Sequence, residues 1–152
     1  MQVAGRAGRA ERAGAVILQT HHPDHPLLHT LIGGGYRELA RSLLGERRAA
    51  GLPPFGSMAL LRAEAARGEY VSRFLEAAVA RARDLADPVS VHGPLPAPMP
   101  RRAGHVRAQV LIESPERQAM QASLKPWLDS VRPLPEARRV RWSIDVDPVE
   151  MG

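Results

Sequence analysis

Two arginines stand three residues apart among glycines at the start of the chain, in Gln2-Val3-Ala4-Gly5-Arg6-Ala7-Gly8-Arg9. A guanidinium is planar, permanently charged and forked, so it suits the charge that builds on phosphoryl oxygens during transfer. Glycine lets a backbone approach such a group closely. The same composition also describes a flexible tail rich in Gly and Arg, and both readings stand at this point. The sequence offers no partner half for a nucleotide site. It has no G-x-x-x-x-G-K-[ST] phosphate loop and no Walker B acidic pair in a suitable context. Half a site does not turn over, so ATP hydrolysis by this chain alone is not expected.

A second group of residues has metal-ligating chemistry. His21, His22, Asp24, His25 and His29 crowd one short stretch, and imidazole and carboxylate are ligands. Their spacing matches no standard metal motif, and Pro23 and Pro26 fix the course of a polar loop there. No metal site is expected. A third group is cationic. Arg62, Arg107 and Arg141, with Gln109, belong on the sheet face away from the helices if strand parity holds, and Arg101-Arg102 and Arg138-Arg139 add charge in loops. Guanidiniums gathered in this way grip a nucleic-acid backbone through its phosphates, with binding that weakens steeply with salt. Arg62, Arg101, Arg102, Arg107 and Arg141 are the candidate DNA contacts. The alternative is a solvated or interdomain face whose arginines pair with Glu64, Asp145 and Asp147. No Phe or Tyr lies on the long strands and Trp142 is expected to face inward, which argues against base stacking in the style of an RNA-recognition module. Arg117 and Gln121 stand one helical turn apart on the polar side of a helix start. There a guanidinium and the helix dipole act together on acidic groups, an ordinary exposed helix face being the alternative.

These side chains need a scaffold. The chain has 152 residues, 21 basic and 16 acidic, for a formal charge of +5, a length that suits one domain with an appendage. Lys125 is the only lysine, but a preference for Arg follows from base composition as readily as from phosphate chemistry. The absence of cysteine excludes disulfides, thiolate metal sites and a Cys nucleophile. No apolar run approaches the ~20 residues that span a bilayer, and the opening segment lacks the apolar stretch of a secretory signal. A soluble cytoplasmic protein is the expectation. No acid/base or nucleophile arrangement points to a small-molecule enzyme.

Apolar Ala15-Val16-Ile17-Leu18 reads as a buried strand. Leu27, Leu28, Leu31 and Ile32 follow at helical spacing, interrupted by Gly33-Gly34-Gly35, and a helix is expected from Tyr36 to Ala50. Gly51-Leu52-Pro53-Pro54-Phe55-Gly56 is the strongest boundary. Beyond it the reading is a strand at Ser57–Glu64, an amphipathic helix at Glu69–Asp87, a short strand at Val89–Gly93 and a proline-rich loop at Pro94–Pro100. A long strand at His105–Glu113 comes next, then a helix with Ser114 as N-cap and Pro115 in its first turn, reaching Val131 with Pro126 as a candidate kink, and finally an alternating strand at Val140–Asp147. Strand, helix, strand, strand, helix, strand is the order of a ferredoxin-like α+β sandwich, two helices on one face of an antiparallel sheet.

The opening string QxxGRxGR resembles motif VI of superfamily 2 helicases, in which such residues face a nucleotide held between two RecA-like lobes. The resemblance makes Gln2 a nucleotide contact, Arg9 the arginine finger and Arg6 a second phosphate or relay contact, completed only in a full-length protein. Glu46-Arg47-Arg48 with Gly51-Leu52-Pro53-Pro54-Phe55, then Gly93-Pro94-Leu95-Pro96-Ala97-Pro98 with Arg101-Arg102, then Val140 to Pro148 extend the likeness over the whole chain. Together they are similar to the end of the primosomal protein N-prime family, bacterial replication-restart DNA helicases. The resemblance implies that residues 1–50 are the remnant of a RecA-like lobe with a connecting helix, and residues 51–152 the C-terminal ferredoxin-like domain. It implies a motor that recognises abandoned forks, unwinds the lagging arm and starts reloading of the replicative helicase. It further implies contacts to single-stranded and branched DNA, to primosome proteins and to single-strand-binding protein, whose acidic tail would meet Arg117 and Gln121. ATP with magnesium, and zinc in a cysteine-rich insertion, belong to the full-length family; no cofactor is expected in this chain. The location implied is the cytoplasm, at the nucleoid, with no membrane partner. The competing reading is a free-standing ferredoxin-like module that binds nucleic acid or the ribosome, with residues 1–50 as a tail.

Overall fold

The computed structural model describes residues 8–9, 12–13, 17–85 and 87–148. The chain divides into two compact units, Met1–Glu46 and Arg47–Gly152. In the first, β1 (Gly8–Arg9) and β2 (Arg12–Ala13) pair antiparallel, Arg9 opposite Arg12. α1 (Pro26–Ala49) follows and ends in the second unit. Pro26 opens it, where a missing N–H costs nothing. His25 covers that end: its Nδ1 accepts the Leu27 N–H at 3.3 Å and its carbonyl accepts the Leu28 N–H at 2.9 Å. The glycine interruption is a kink. Gly35 takes φ 70° and ψ −172°, outside any helix, and glycine reaches such a φ without steric cost. No residue of α1 is buried. Of the strand expected at Ala15–Leu18, the described residues Ile17 and Leu18 are in no strand. Ala15 and Val16 lie outside the described residues, and Ile17 is 93% exposed with no strand partner; an apolar run becomes a strand only where a sheet receives it.

In the second unit, the turn from Gly51 to Gly56 is held by the end of α1. Arg47 Nη1 donates to the Pro53 carbonyl at 3.0 Å and the Arg48 guanidinium lies 4.5 Å from the Phe55 ring centroid. After the turn come β3 (Ser57–Ala65), α2 (Gly68–Ala80), β4 (Ser90–Arg102), β5 (His105–Ser114), α3 (Arg117–Val131) and β6 (Arg141–Val146). The four strands form one antiparallel sheet in the order β4-β5-β3-β6. This is the βαββαβ sandwich expected from the element order.

Register decides which side chains meet the helices. β3 pairs β5 from Ser57 opposite Ser114 to Ala65 opposite Val106, and β6 from Ala59 opposite Val146 to Glu64 opposite Arg141. Opposed residues share a face, so Ala59, Leu61 and Ala63 join Val110, Ile112 and Ile144 beneath the helices. α2 adds Val71, Phe74, Leu75 and Ala78; α3 adds Met120, Trp127, Leu128 and Val131. A fully buried Leu or Phe contributes about 1.5–3 kcal/mol. Trp127 Nε1 donates to the Ala78 carbonyl at 3.0 Å, tying α3 to α2. Trp142 is half-buried on the helix side, its ring 5.7 Å from Phe74.

Three element boundaries differ from the sequence reading. The expected loop at Pro94–Pro100 is strand: β4 runs 13 residues through four prolines. It is an edge strand, which needs ladder bonds on one side only, and register shifts at His92/Leu95 and Pro96/Arg101 absorb the misfit. α2 stops at Ala80 and continues as a 3-10 turn, Arg81–Asp84, rather than as helix to Asp87. α3 starts at Arg117, because Ser114 ends β5 and its hydroxyl closes a turn, accepting the Glu116 N–H at 3.1 Å. Pro126 is exposed within an uninterrupted α3.

Candidate nucleic-acid interface

Arg62, Gln109 and Ser143 stand abreast across the middle of the sheet, and Glu64, Arg107 and Arg141 form the next row. Both rows lie on the face without helices, as strand parity requires. The rows carry acid as well as base. Arg62 Nη1 donates to Asp145 Oδ2 at 2.6 Å. Glu64 lies between two guanidiniums, 3.7 Å from Arg107 Nε and 3.6 Å from Arg141 Nη1. Mid-sheet, then, the structure brings three candidate DNA contacts together and pairs them with carboxylates, which is the arrangement of a partnered face.

The balance changes at the end of the sheet where β3 finishes and β5 begins. A cleft of about 680 Å³ opens there, lined by Arg67, Arg102, Arg107, Arg139 and Arg141. Glu64 is the carboxylate on its wall, and Tyr70 and His105 complete the polar lining. Each part is placed by a short piece of local structure. Arg67 lies in the turn from β3 into α2. Arg102 and His105 flank the two-residue turn Ala103-Gly104, with φ values of 48° and 78°, the pattern of a hairpin that follows the natural twist of its strands. Arg139 ends the 3-10 turn Pro135–Arg139 that leads into β6. The Arg67 and Arg139 guanidiniums lie 5.9 Å and 5.3 Å from the Tyr70 ring centroid, within cation–π range. Among the described residues no carboxylate pairs with Arg67, Arg102 or Arg139. Arg101 is not in the cleft; it stands opposite Val106 and lines a neighbouring recess with Ala66 and Gly68.

Strand parity does not reach Arg67 or Tyr70, and sequence places Arg139 only as loop charge. The signal that finds them is topological. In a βαββαβ sandwich the first strand–helix turn, the central hairpin and the last helix–strand turn all lie at one end of the sheet, and here each of those three connections carries arginine.

At the other end, Arg117 Nη2 donates to Asp147 Oδ2 at 3.0 Å while the Arg117 side chain stays 71% exposed. Gln121 is exposed one turn further on. Asp147 is itself fixed: its Oδ1 accepts the Met58 N–H at 3.2 Å and its N–H donates to the Met58 carbonyl at 2.8 Å. An acidic ligand at Arg117 must share the guanidinium with Asp147 or displace it. Gln2 and Arg6 lie outside the described residues; Arg9 is on β1.

A family model described as the primosomal protein N C-terminal domain matches residues 48–149, which take in the whole sandwich. The chain belongs to the primosomal protein N C-terminal domain family. The resemblance read from the strings around residues 46–55, 93–102 and 140–148 is thereby shown. Among curated relatives, the replication restart protein PriA of Haemophilus influenzae is 39% identical over 154 residues, covering 100% of this chain and 21% of that protein. PriA of Synechocystis is 31% identical, covering 99% of this chain and 18% of the relative. PriA of Bacillus subtilis is 29% identical over 99% and 19%. The chain spans about a fifth of the length of these relatives. The arginine cleft and the Arg117–Asp147 pair both fall within the matched residues.

Proposed function

We propose that this chain is the C-terminal part of a replication-restart protein and serves it as a binding module. It holds nucleic acid by its backbone at the arginine cleft and receives the acidic tail of single-strand-binding protein at Arg117 and Gln121. The observation that carries the DNA half is the meeting of five guanidiniums with one carboxylate in a single concave site; phosphate diesters supply the missing negative charge in the geometry that arginine forks match. The tail half is supported by a guanidinium at a helix start that stays 71% exposed while it pairs with the carboxylate of Asp147. ATP hydrolysis and strand separation belong to the longer protein. Of that machinery this chain carries Gln2, Arg6 and Arg9, in the string that resembles motif VI. It has no phosphate loop to hold the nucleotide and no cysteine for zinc. The free-standing alternative is less favoured, because relatives align to this chain from end to end within much longer restart proteins.

The test is binding of labelled single-stranded and forked DNA, and separately of an acidic tail peptide, at low and raised salt. DNA binding is expected to weaken by orders of magnitude as salt rises. Arg117→Ala is expected to abolish peptide binding and leave DNA binding within about twofold, since one exposed contact away from the DNA site is removed. Salt-independent DNA binding, or peptide binding that survives Arg117→Ala, would overturn the corresponding half.

A further inference from the structure

We infer that Asp147 is the positioning residue of the Arg117 site: it orients the guanidinium for an incoming carboxylate and shares it with that ligand instead of yielding it. The inference rests on the acidic-tail reading above and adds a residue which that reading does not use. Register sets the placement. β3 has β5 on one side and β6 on the other, with Ser57 opposite Ser114 and Ala59 opposite Val146. Asp147 follows β6 and Arg117 opens α3, so the two meet near the start of β3. Asp147 takes φ 50°, a left-handed conformation that aspartate and asparagine tolerate better than most residues. That turn brings its carboxylate back onto β3. Oδ1 accepts the Met58 N–H at 3.2 Å, and the Asp147 N–H donates to the Met58 carbonyl at 2.8 Å. Oδ2 is left for Arg117 Nη2, at 3.0 Å.

Most surface ion pairs contribute little, because two mobile side chains give up freedom to meet. Here one partner is fixed beforehand. The Asp147 side chain is 26% exposed and tied to Met58 twice, whereas that of Arg117 is 71% exposed. The pair therefore orders the arginine alone. Asp147 engages a single guanidinium nitrogen, and among the described residues no second carboxylate pairs with Arg117. The rest of the fork is open to solvent, so a ligand carboxylate reaches it without displacing Asp147. Two effects then oppose each other. Ordering a long side chain on binding lowers affinity by about two- to tenfold, and Asp147 has removed that freedom before the ligand arrives. Its charge also repels the ligand, but water and salt screen the repulsion at so exposed a site to about twofold. Ordering wins.

The experiment titrates the labelled acidic tail peptide into the whole chain and its variants, read by anisotropy. Asp147→Asn keeps an oxygen for the Met58 N–H and suits the positive φ, but it turns a neutral N–H donor toward Arg117. Peptide binding should weaken by roughly three- to fivefold. In an Arg117→Lys chain no fork is left to orient, and adding Asp147→Asn there should change binding by less than about twofold. A second measurement needs no variant. Nitrogen spin relaxation should show the Arg117 Nε–H more restricted than that of Arg73, which is exposed and makes no ion pair among the described residues. Circular dichroism melts confirm that the variants remain folded. Tighter binding by Asp147→Asn makes Asp147 a competitor and overturns the inference, and unchanged binding overturns it too. An equal loss in the Arg117→Lys background marks a general effect on the fold and has the same consequence. Equal mobility of Arg117 and Arg73 overturns it even if Asp147→Asn does not fold. A parent chain that does not bind the peptide, or binding that survives Arg117→Ala, instead removes the acidic-tail reading and this inference with it.

Discussion

Single side chains in the sandwich combine packing with one polar tie. Trp127 is 2% exposed and spends its indole N–H on the Ala78 carbonyl. Trp127→Phe leaves that buried carbonyl without its donor, a cost of about 1–3 kcal/mol, and equilibrium urea unfolding should show a lowered midpoint of that size. Asp129 gives a pH-dependent counterpart. The Lys125 ammonium, hydrogen-bonded at 2.8 Å, leads the causes that hold its carboxyl below the usual 3.8, with Arg132 adding to it. A depressed folded value means the unfolded chain binds that proton more readily. The contribution is therefore present above pH 3.8 and is lost as pH falls through the folded midpoint. An NMR titration should place the Asp129 midpoint below 3.8, and Lys125→Ala should raise it. Arg117, by contrast, reads from sequence either as a guanidinium for acidic groups or as part of an ordinary exposed helix face. Its Asp147 partner is 30 residues away in the chain, and a separation of that kind leaves no local trace.

Elements were legible where one side of the pattern faced the core. The alternation of Val140, Trp142 and Ile144, and the 3.6-residue stripe from Val71 to Ala78, give the observed strand and helix faces, while Val146 at the strand end is 48% exposed. β4 was not legible beyond Gly93, because four prolines suppress strand propensity and only an edge position in the assembled sheet makes room for them. The hairpin between β4 and β5 carries a measurable cost of its own. Ala103 sits at φ 48°, a conformation that costs a residue with a Cβ roughly 1–2 kcal/mol and costs glycine little. Ala103→Gly should therefore stabilise the second unit by up to about 1 kcal/mol in thermal or urea unfolding, after the greater chain entropy of glycine is offset. Because Arg102 and His105 flank that turn, the same change leaves the cleft charge intact, so stability and binding are separable at this position.

For the whole molecule, the order of six elements gives the expectation of a ferredoxin-like sandwich, and the observed sheet order β4-β5-β3-β6 sets the end at which three arginine-bearing connections converge. What sequence could not supply was the difference between the two arginine groups. Parity puts Arg62, Arg107 and Arg141 on one face, yet only the register across three strands shows that Asp145 and Glu64 take up much of their charge. The free cationic capacity moves to Arg67, Arg102 and Arg139 at the sheet end, where nucleic-acid binding by this restart-family module is proposed to occur. The most direct measurement is an NMR titration of the isotopically labelled chain with a short single-stranded oligonucleotide, following arginine side-chain N–H and tyrosine ring signals. Saturable shifts should centre on Arg67, Arg102, Arg139 and Tyr70 and shrink as salt is raised. Shifts centred on Arg117 and Gln121, or on Arg132 at the far end of α3, with the cleft signals unmoved, would contradict the account.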